Sequence, residues 1–230
     1  MCMPRKEFKE ADREKVLLWC DRHCCLCGKQ CGGNIEVHHI DKEDDNHISN
    51  AIPLCFECHR QVHAYKNTPK GSKFKSNELR RRRDQIYTKY TAYLVPAVNF
   101  WVEANKNKLN DVLFRIQHGG GPYPVKALVI VKVFSGKKII KDFSKQKDFY
   151  GGNKYWHLNP GITINGHFEI PENSVKSKKD LRVIIETTII DKYEYKHELL
   201  PIEYKLARGE NSFWFLEPGP PICFNKISNK

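Results

Sequence analysis

The spacing of apolar residues changes character about halfway along the chain. Apolar residues group at roughly helical spacing over residues 5–23, and further helices are predicted at 57–65, 78–93 and 97–117. After residue 120 they fall instead in runs rich in β-branched and aromatic side chains, separated by Asn, Gly and Pro. The strands predicted in these runs are 125–134, 162–170, 181–190 and 193–206. The chain is therefore predicted to be α+β, with an all-β C-terminal part.

A glycine-rich turn, HGGGP at residues 118–122, marks the predicted domain boundary. Ahead of it, Asn77 is expected to cap the helix at 78–93, and Pro96 is expected to interrupt that helix. The predicted division of the chain is a first domain at 1–95, a helical linker at 96–120 and an all-β, sandwich-like domain at 121–230.

Cysteine usage indicates the chemical setting of the protein. Seven of the nine cysteines lie between residues 20 and 58, and residues 59–222 contain none. Such clustering favours thiolates held on a metal in a reducing cytosol over a secreted disulfide framework. The N-terminal sequence MCMPRKEFKEADREK is charged and has no apolar core, so it is not a signal peptide. No stretch approaches the roughly 18 apolar residues of a membrane helix, so we expect a cytoplasmic protein without a membrane partner.

The net charge of +12 favours a polyanionic partner such as nucleic acid. Residues 60–95 contain 10 basic and only 2 acidic side chains, and this basic run directly follows the segment rich in cysteine and histidine. Charge runs are often no more than the solvated face of a helix, and that interpretation stays open here.

Two C-x-x-C pairs predict a structural zinc site. The pairs are Cys24 with Cys27 and Cys55 with Cys58. Zinc favours four tetrahedral ligands, and two such pairs are a common way to supply them. A domain of this size has a small apolar core, so bound zinc would contribute much of its folding free energy. Cys25 and Cys31 compete as ligands, but neither has the required spacing to Cys27.

Four histidines accompany the cysteine pairs. His59 and His63 are four residues apart on a predicted helix, so they share one face. His38 and His39 are successive residues at the end of a predicted strand, so they point in opposite directions and can serve different roles. Three imidazoles leave room on a divalent ion for phosphate and water, and a fourth could deprotonate that water at neutral pH. The alternative is that His59 or His63 completes the zinc site.

The segments IEVHHI at 35–40 and NAIPLCFECHRQVH at 50–63 resemble the HNH endonucleases, whose ββα-metal module cuts nucleic acid. The resemblance covers about residues 20–65, and the HH, N and H-x-x-x-H spacing is also similar to the nuclease domains of colicins. It implies a single catalytic divalent ion (Mg²⁺, Mn²⁺, Ni²⁺ or Zn²⁺) beside the structural zinc.

The resemblance also implies roles for individual residues. His39 would be the general base that activates water, and Asn50 would bridge the loop and orient the His39 ring. Glu36 would be a carboxylate that supports a metal ligand. The residues that would hold the catalytic ion are His38, His59 and His63. Many HNH proteins use fewer histidines, so which helical histidine binds the ion more tightly stays open.

The activity that the resemblance implies is hydrolysis of phosphodiester bonds, with double-stranded DNA as the expected substrate. The basic side chains expected to bind flanking phosphates are Arg60, Lys66, Lys73, Lys75, Arg80, Arg81, Arg82 and Arg83. HNH modules fused to a second domain are common in bacterial restriction and anti-phage defence. By that association we expect a defence nuclease whose β domain controls it or docks a second copy or a partner subunit.

Two other functions stay open. The chain could be a zinc-stabilised nucleic-acid-binding module without catalysis, although neither His39 nor Asn50 is needed to hold zinc. Alternatively, the β domain could sense a ligand and use the nuclease as its output. Trp156 and Tyr155 could form a recognition surface in that domain, although aromatic residues of this kind more often lie in the core. The sequence assigns no role to Cys2, Cys20 or Cys223.

Overall fold

The computed structural model of the 230-residue chain describes residues 6–41, 44–64, 74–105, 108–143, 155–173, 180–207 and 213–216. The protein is mixed α+β, with 26% helix and 43% strand. It forms two compact units, Met1–Tyr93 with Tyr193–Tyr195, and Leu94–Lys192 with Lys196–Lys230. The division at Tyr93/Leu94 lies close to residue 95, the predicted end of the first domain, and not at the predicted boundary turn, Gly119–Gly121. Among the described helices, none is both long and apolar enough to cross a membrane.

The first unit contains the helices and short strands that the sequence predicts. Its named elements are α1 (Glu10–Trp19), β1 (Ile35–His39), the 3₁₀ helix η1 (Ile48–Asn50), β2 (Ala51–Cys55), α2 (Phe56–Ala64) and α3 (Ser76–Thr91). Strands β1 and β2 pair antiparallel, with Ile35 opposite Cys55 and His39 opposite Ala51. Because α2 follows β2 without a connecting residue, the segment is a hairpin that leads directly into a helix.

The start of α3 differs from the prediction. Lys75 has extended backbone angles (φ −80°, ψ 146°) and precedes the first helical residue, Ser76. The N–H of Leu79 donates to the Lys75 carbonyl at 3.0 Å, so helical hydrogen bonding begins there. Asn77 therefore lies inside the first turn, and the prediction that it caps the helix is wrong.

The first unit buries one apolar cluster beneath α1, the hairpin and α3. The cluster includes Phe8, Val16, Cys20, Cys25, Val37, Ile52, Leu54, Leu79 and Tyr87. The Trp19 ring packs edge-on against Tyr87, with centroids 5.4 Å apart, and Trp19 Nε1 donates to the Tyr193 carbonyl at 2.8 Å. Burial of these side chains supplies the apolar driving force that holds the short elements together.

The predicted helical linker is instead a pair of antiparallel strands, β3 (Val98–Asn105) and β4 (Lys108–His118). Val112, Phe114 and Ile116 are each fully buried, while the residues between them are half-buried. A period of two places these three side chains on one face of a strand, whereas a helix would scatter them around its circumference. The helix prediction for 97–117 is therefore wrong, and these residues belong to the β-rich unit.

The second unit is built from two antiparallel sheets. Beyond β3 and β4, its strands are β5 (Val125–Ser135), β6 (Lys138–Asp142), β7 (Trp156–Leu158), β8 (Thr163–Glu169), β9 (Leu181–Ile190), β10 (Lys196–Glu198), β11 (Ile202–Ala207) and β12 (Phe213–Leu216). One sheet has the order β12-β11-β9-β5-β6, with β10 on β9 and β7 on β5, and the other has the order β3-β4-β8. The strands predicted around 125–134, 162–170 and 181–190 are confirmed, whereas 193–206 contains two strands rather than one.

The two sheets of the second unit share one hydrophobic core. Phe114 of the smaller sheet stacks on Trp156 of the larger, with ring centroids 5.1 Å apart. A Cβ added at Gly166 would overlap the Phe114 ring and would lie 3.1 Å from Trp156, so only glycine permits this approach. Trp156 is 7% exposed, and the interpretation of Trp156 as a core residue is confirmed.

The predicted boundary turn lies within the second unit, where the His118 side chain contacts it at two points. His118 ends β4 and is 1% exposed. Its Nε2 lies 2.9 Å from the Tyr123 carbonyl, and its Nδ1 lies 3.4 Å from the N–H of Gly120. These contacts fit the tautomer in which Nε2 donates and Nδ1 accepts, and they fold the glycine-rich segment back on the imidazole.

We expect a buried pair of side chains, Asp191 and His197, to contribute strongly to the stability of the second unit. Asp191 Oδ2 lies 2.9 Å from His197 Nε2, and the side chains are 0% and 3% exposed. Loss of one partner leaves the other polar group buried, at a cost of about 2 kcal/mol or more. Asp191→Ala should therefore lower the free energy of unfolding, measured by amide hydrogen exchange in β9 under increasing urea.

Asp111→Ala is the matched control, since it removes the carboxylate that contacts the 70% exposed His167. An exposed pair contributes about 0–1 kcal/mol, so the control should change the free energy of unfolding little. An equal decrease in the free energy of unfolding in both variants would show that the buried Asp191–His197 pair contributes no more to stability than an exposed pair.

Candidate metal centres

Four cysteines from two separate segments come together in the first unit. Cys24 and Cys27 lie in the turn after α1, Cys55 ends β2, and Cys58 lies in the first turn of α2. Their four sulfurs all lie within 4.8 Å of one another, and those of Cys27 and Cys55 are 4.0 Å apart. Sulfurs that surround a tetrahedral zinc ion lie about 3.8 Å apart. The group can therefore hold a structural metal such as zinc.

Within the cysteine group the backbone stabilises the thiolate of Cys24, whereas burial raises the pKa of the Cys27 and Cys58 thiols. Burial alone would raise the pKa of the Cys24 thiol, but backbone N–H groups of Cys27, Cys55 and Leu26 hydrogen-bond to it and hold the pKa below its ordinary value. Gly28 has φ +74° and donates its N–H to the Cys24 carbonyl at 2.8 Å, which closes the tight turn between the first two cysteines. Thiolate is the form that binds zinc.

Three further cysteines of the described residues lie outside the group of four. Cys20 and Cys25 are 0% and 1% exposed and belong to the apolar cluster, and burial raises the pKa of the Cys25 thiol well above its usual range. Cys31 is half-buried, and its Sγ lies 3.1 Å from the Lys29 carbonyl. Cys20 and Cys25 therefore act as small core residues. Cys2 and Cys223 lie outside the described residues.

A second group consists of the three histidines predicted to hold the catalytic ion. One nitrogen each of His38, His59 and His63 lies within 4.8 Å of the others. The three rings meet edge-on, with centroids 4.7–4.9 Å apart and interplanar angles of 74–83°. This group is distinct from the cysteine group, so the alternative in which a helical histidine completes the zinc site is not favoured. Three converging imidazoles fit a divalent transition ion or a similar cation.

Glu36 supports the histidine group from β1. Its Oε2 lies 3.3 Å from Nδ1 of His59. A carboxylate at one ring nitrogen fixes the tautomer and orientation of an imidazole and makes the other nitrogen a better ligand. Nε2 is therefore the nitrogen of His59 that an ion could bind, and the role of Glu36 at such an ion stays a prediction.

His39 lies on the opposite side of β1 from the three-histidine group. Its ring stacks on Phe8, with centroids 4.1 Å apart and an interplanar angle of 19°. His39 is 2% exposed and Phe8 is 5% exposed. The two neighbouring histidines of β1 therefore have different surroundings: His38 meets the α2 imidazoles, and His39 meets an aromatic ring from the segment before α1.

Asn50 bridges the loop between β1 and β2. Its Oδ1 accepts the N–H of Asp41 at 2.9 Å, and its Nδ2 donates to the Asp45 carbonyl at 2.8 Å. The Asn50 carbonyl accepts the N–H of Ile40 at 2.8 Å, beside His39. The side chain thus bonds two positions within the loop, and the Asn50 carbonyl fixes the backbone that follows His39.

Two of the predicted phosphate-binding arginines are engaged within the protein. Arg83 donates through Nη1 to the carbonyls of Ser49 (2.6 Å) and Ala51 (3.2 Å), and its guanidinium also pairs with Asp84. Arg80 forms an ion pair with Asp41, and this contact holds the pKa of the Asp41 carboxyl below its usual range. Both guanidinium groups therefore already have partners within the first unit.

The other basic residues of that set are placed differently. Arg81, Arg82, Lys75 and Arg60 are exposed. Lys66 and Lys73 lie outside the described residues. The exposed members can therefore meet a polyanion, whereas the engaged pair stabilises the loop that carries Asn50.

Sequence reasoning missed two contributors to the site. Phe8 gave no signal, because nothing local relates a residue before α1 to the end of β1. The sequence could have predicted that Arg83 points inward. Arg83 lies four residues after Leu79 and four before Tyr87, so the three side chains share one face of α3, and Leu79 and Tyr87 are buried.

No protein-family model matches the chain, and no curated protein matches it. The assignment of a function therefore depends on the residues and geometry of this chain alone.

We expect Cys58→Ser to abolish metal binding by the cysteine group and to destabilise the first unit, because a missing thiolate removes one tetrahedral ligand. The measurement is reconstitution with Co²⁺, whose thiolate charge-transfer absorption reports sulfur ligands and not imidazoles, together with thermal unfolding. Cys31→Ser is the matched control, since Cys31 is a nearby half-buried thiol outside the group. Unchanged cobalt absorption in Cys58→Ser would refute the four-cysteine site.

Proposed function

We propose that the first unit is a metal-dependent, HNH-type endonuclease module that hydrolyses phosphodiester bonds of nucleic acid, with DNA as its substrate. The observation that carries the proposal is the arrangement of histidines in the hairpin and helix. His38, His59 and His63 converge on one point, while His39 and Asn50 lie at the adjoining end of β1 and its loop. A structural metal site needs neither of the last two residues.

The three-histidine group fits a catalytic ion. It offers three neutral nitrogen ligands and leaves further positions for phosphate and water, as catalytic metal sites do. A bound divalent ion would supply electrostatic stabilisation of the negative charge that develops during hydrolysis. His38, His59 and His63 would hold it, and Glu36 would keep the His59 ring in its binding orientation.

In this mechanism His39 is the general base. A neutral imidazole takes a proton from water as the water oxygen attacks phosphorus, and the bond to the leaving 3′ oxygen breaks. Phe8 lies flat against the His39 ring and restricts its orientation. Asn50 bonds Asp41 and Asp45 of the loop through its side chain, and its carbonyl accepts the N–H of Ile40, which positions the backbone beside His39.

The wider role remains a prediction by association. We propose a role in restriction or anti-phage defence because HNH modules in such systems are commonly fused to a second domain. On the same ground we propose that the β-rich unit controls the nuclease. The binding-module alternative, in which the first unit holds nucleic acid without cutting it, is an outcome of the next experiment.

We expect His39→Ala to lose cleavage of supercoiled plasmid DNA by about 10²–10⁴-fold in the presence of Mg²⁺ or Mn²⁺, because general base catalysis contributes that much. Metal affinity, measured by calorimetry, should not change, since His39 lies outside the group of ligands. His157→Ala is the matched control, because His157 is an exposed histidine of β7 in the second unit. If wild-type protein binds metal and DNA but does not cut under any of these conditions, the binding-module alternative replaces the nuclease.

Phe8→Ala should reduce the single-turnover cleavage rate by up to about tenfold, since an aromatic contact of this kind contributes about 0.5–1.5 kcal/mol. Phe8→Tyr keeps a ring against His39 and should retain the wild-type rate. Both variants should keep their metal content, which separates positioning of His39 from loss of the fold. Equal rate losses in Phe8→Ala and Phe8→Tyr would contradict a positioning role for the ring.

A further inference from the structure

The four consecutive arginines of α3 divide into two opposite pairs. Successive helical residues are about 100° apart, so Arg80 and Arg83 lie within about 60° of each other, and Arg81 and Arg82 lie on the other side of the helix. The structure follows this division, because Arg80 and Arg83 contact Asp41, Ser49 and Ala51. Arg81 and Arg82 are exposed.

The outward pair lies in a groove of polar side chains. The residues that line this groove are Lys75, Asn77, Glu78, Arg81, Arg82 and Gln85. Three of the six are cationic, two are neutral amides that can donate hydrogen bonds, and Glu78 is the single acidic member. The other acidic residue of the basic run, Asp84, is already paired with Arg83. The groove therefore presents unneutralised positive charge beside hydrogen-bond donors.

We propose that this outward face of α3, formed by Lys75, Arg81 and Arg82 with the flanking amides, binds the phosphodiester backbone of double-stranded DNA beside the cleavage site. The inference rests on the proposed nuclease function for its substrate and is separable from it by experiment. Charge complementarity identifies the occupant: separate cations along one helix face match a regularly charged polyanion, and Asn and Gln side chains add hydrogen bonds to phosphate oxygens.

The inward pair gives this surface a fixed relation to the site. Arg83 bonds carbonyls on both sides of Asn50, and Arg80 bonds the side chain of Asp41, whose N–H is bonded by Asn50. The helix that would contact phosphates is thus tied to the loop that follows the proposed base. A single helix therefore positions DNA on the outward face relative to His39. No flexible linker separates the DNA-binding surface from the proposed general base.

The test is the salt dependence of DNA binding in the full chain. In a His39→Ala background, affinity for a short duplex is measured at several salt concentrations in the presence of Mg²⁺. Arg81→Ala with Arg82→Ala should weaken binding and reduce the slope of log K against log salt by about 2, because each lost phosphate contact removes about 0.9. Replacement of both residues by Lys should restore the slope, since the charges return.

Matched controls separate this surface from general charge and from folding. Arg13→Ala with Lys138→Ala removes the same charge from exposed positions on α1 and β6, and it should leave the slope unchanged. Arg83→Gln should lower the thermal stability of the first unit but should not reduce the slope, because its guanidinium faces the protein.

An unchanged slope in the Arg81/Arg82 variant would overturn the inference, as would an equal decrease in the Arg13/Lys138 control. The nuclease proposal has its own outcome in the His39 experiment. Wild-type cleavage with an unchanged slope would refute only the α3 surface. A reduced slope without wild-type cleavage would support the surface and refute the nuclease.

Discussion

The local geometry of the first unit depends on the convergence of four cysteine sulfurs. Cys24 and Cys27 follow α1, whereas Cys55 and Cys58 span the junction of β2 and α2. A zinc ion at this group would bind segments about thirty residues apart in the chain and set the direction in which α2 leaves the hairpin. Because His59 follows Cys58 directly, that direction also places the α2 imidazoles against β1. A metal ion at the cysteine group would therefore also help to fix the geometry of the histidine group.

Because side chains alternate along β1, neighbouring residues of this strand lie in two different chemical environments. Glu36 and His38 share the face toward α2, where one contacts His59 and the other meets both helical imidazoles. Val37 and His39 point the other way, where Val37 joins the apolar cluster and His39 stacks on Phe8. A strand reverses its side chains at each residue, so a ligand and a base can be adjacent in sequence without occupying the same site.

Helix α3 connects this site to the surface. Its inward row, Leu79, Arg83 and Tyr87, repeats every four residues and combines apolar burial with hydrogen bonds to the hairpin backbone. A guanidinium suits this role because its fork of donors can bond two carbonyls and a carboxylate at once. Charge in the basic run is thus partly structural, and only the outward half is available to a partner. Net charge alone would have overestimated the number of basic side chains on the outward face of α3.

Sequence alone determined the features that depend on short separations: the two C-x-x-C pairs, the i,i+4 histidines of α2, the opposed histidines of β1 and most strands of the second unit. Covalent geometry fixes which neighbours two to four residues apart share a face. Tertiary structure decided the rest. Residues 97–117 pair as strands because β8 supplies backbone hydrogen bonds at the edge of β4 and the larger sheet covers their apolar face. Arg80 and Arg83 turn inward because Asp41 and two backbone carbonyls offer acceptors, and Phe8 stacks on His39. Such long-range contacts follow from packing of the whole unit, which local spacing does not encode.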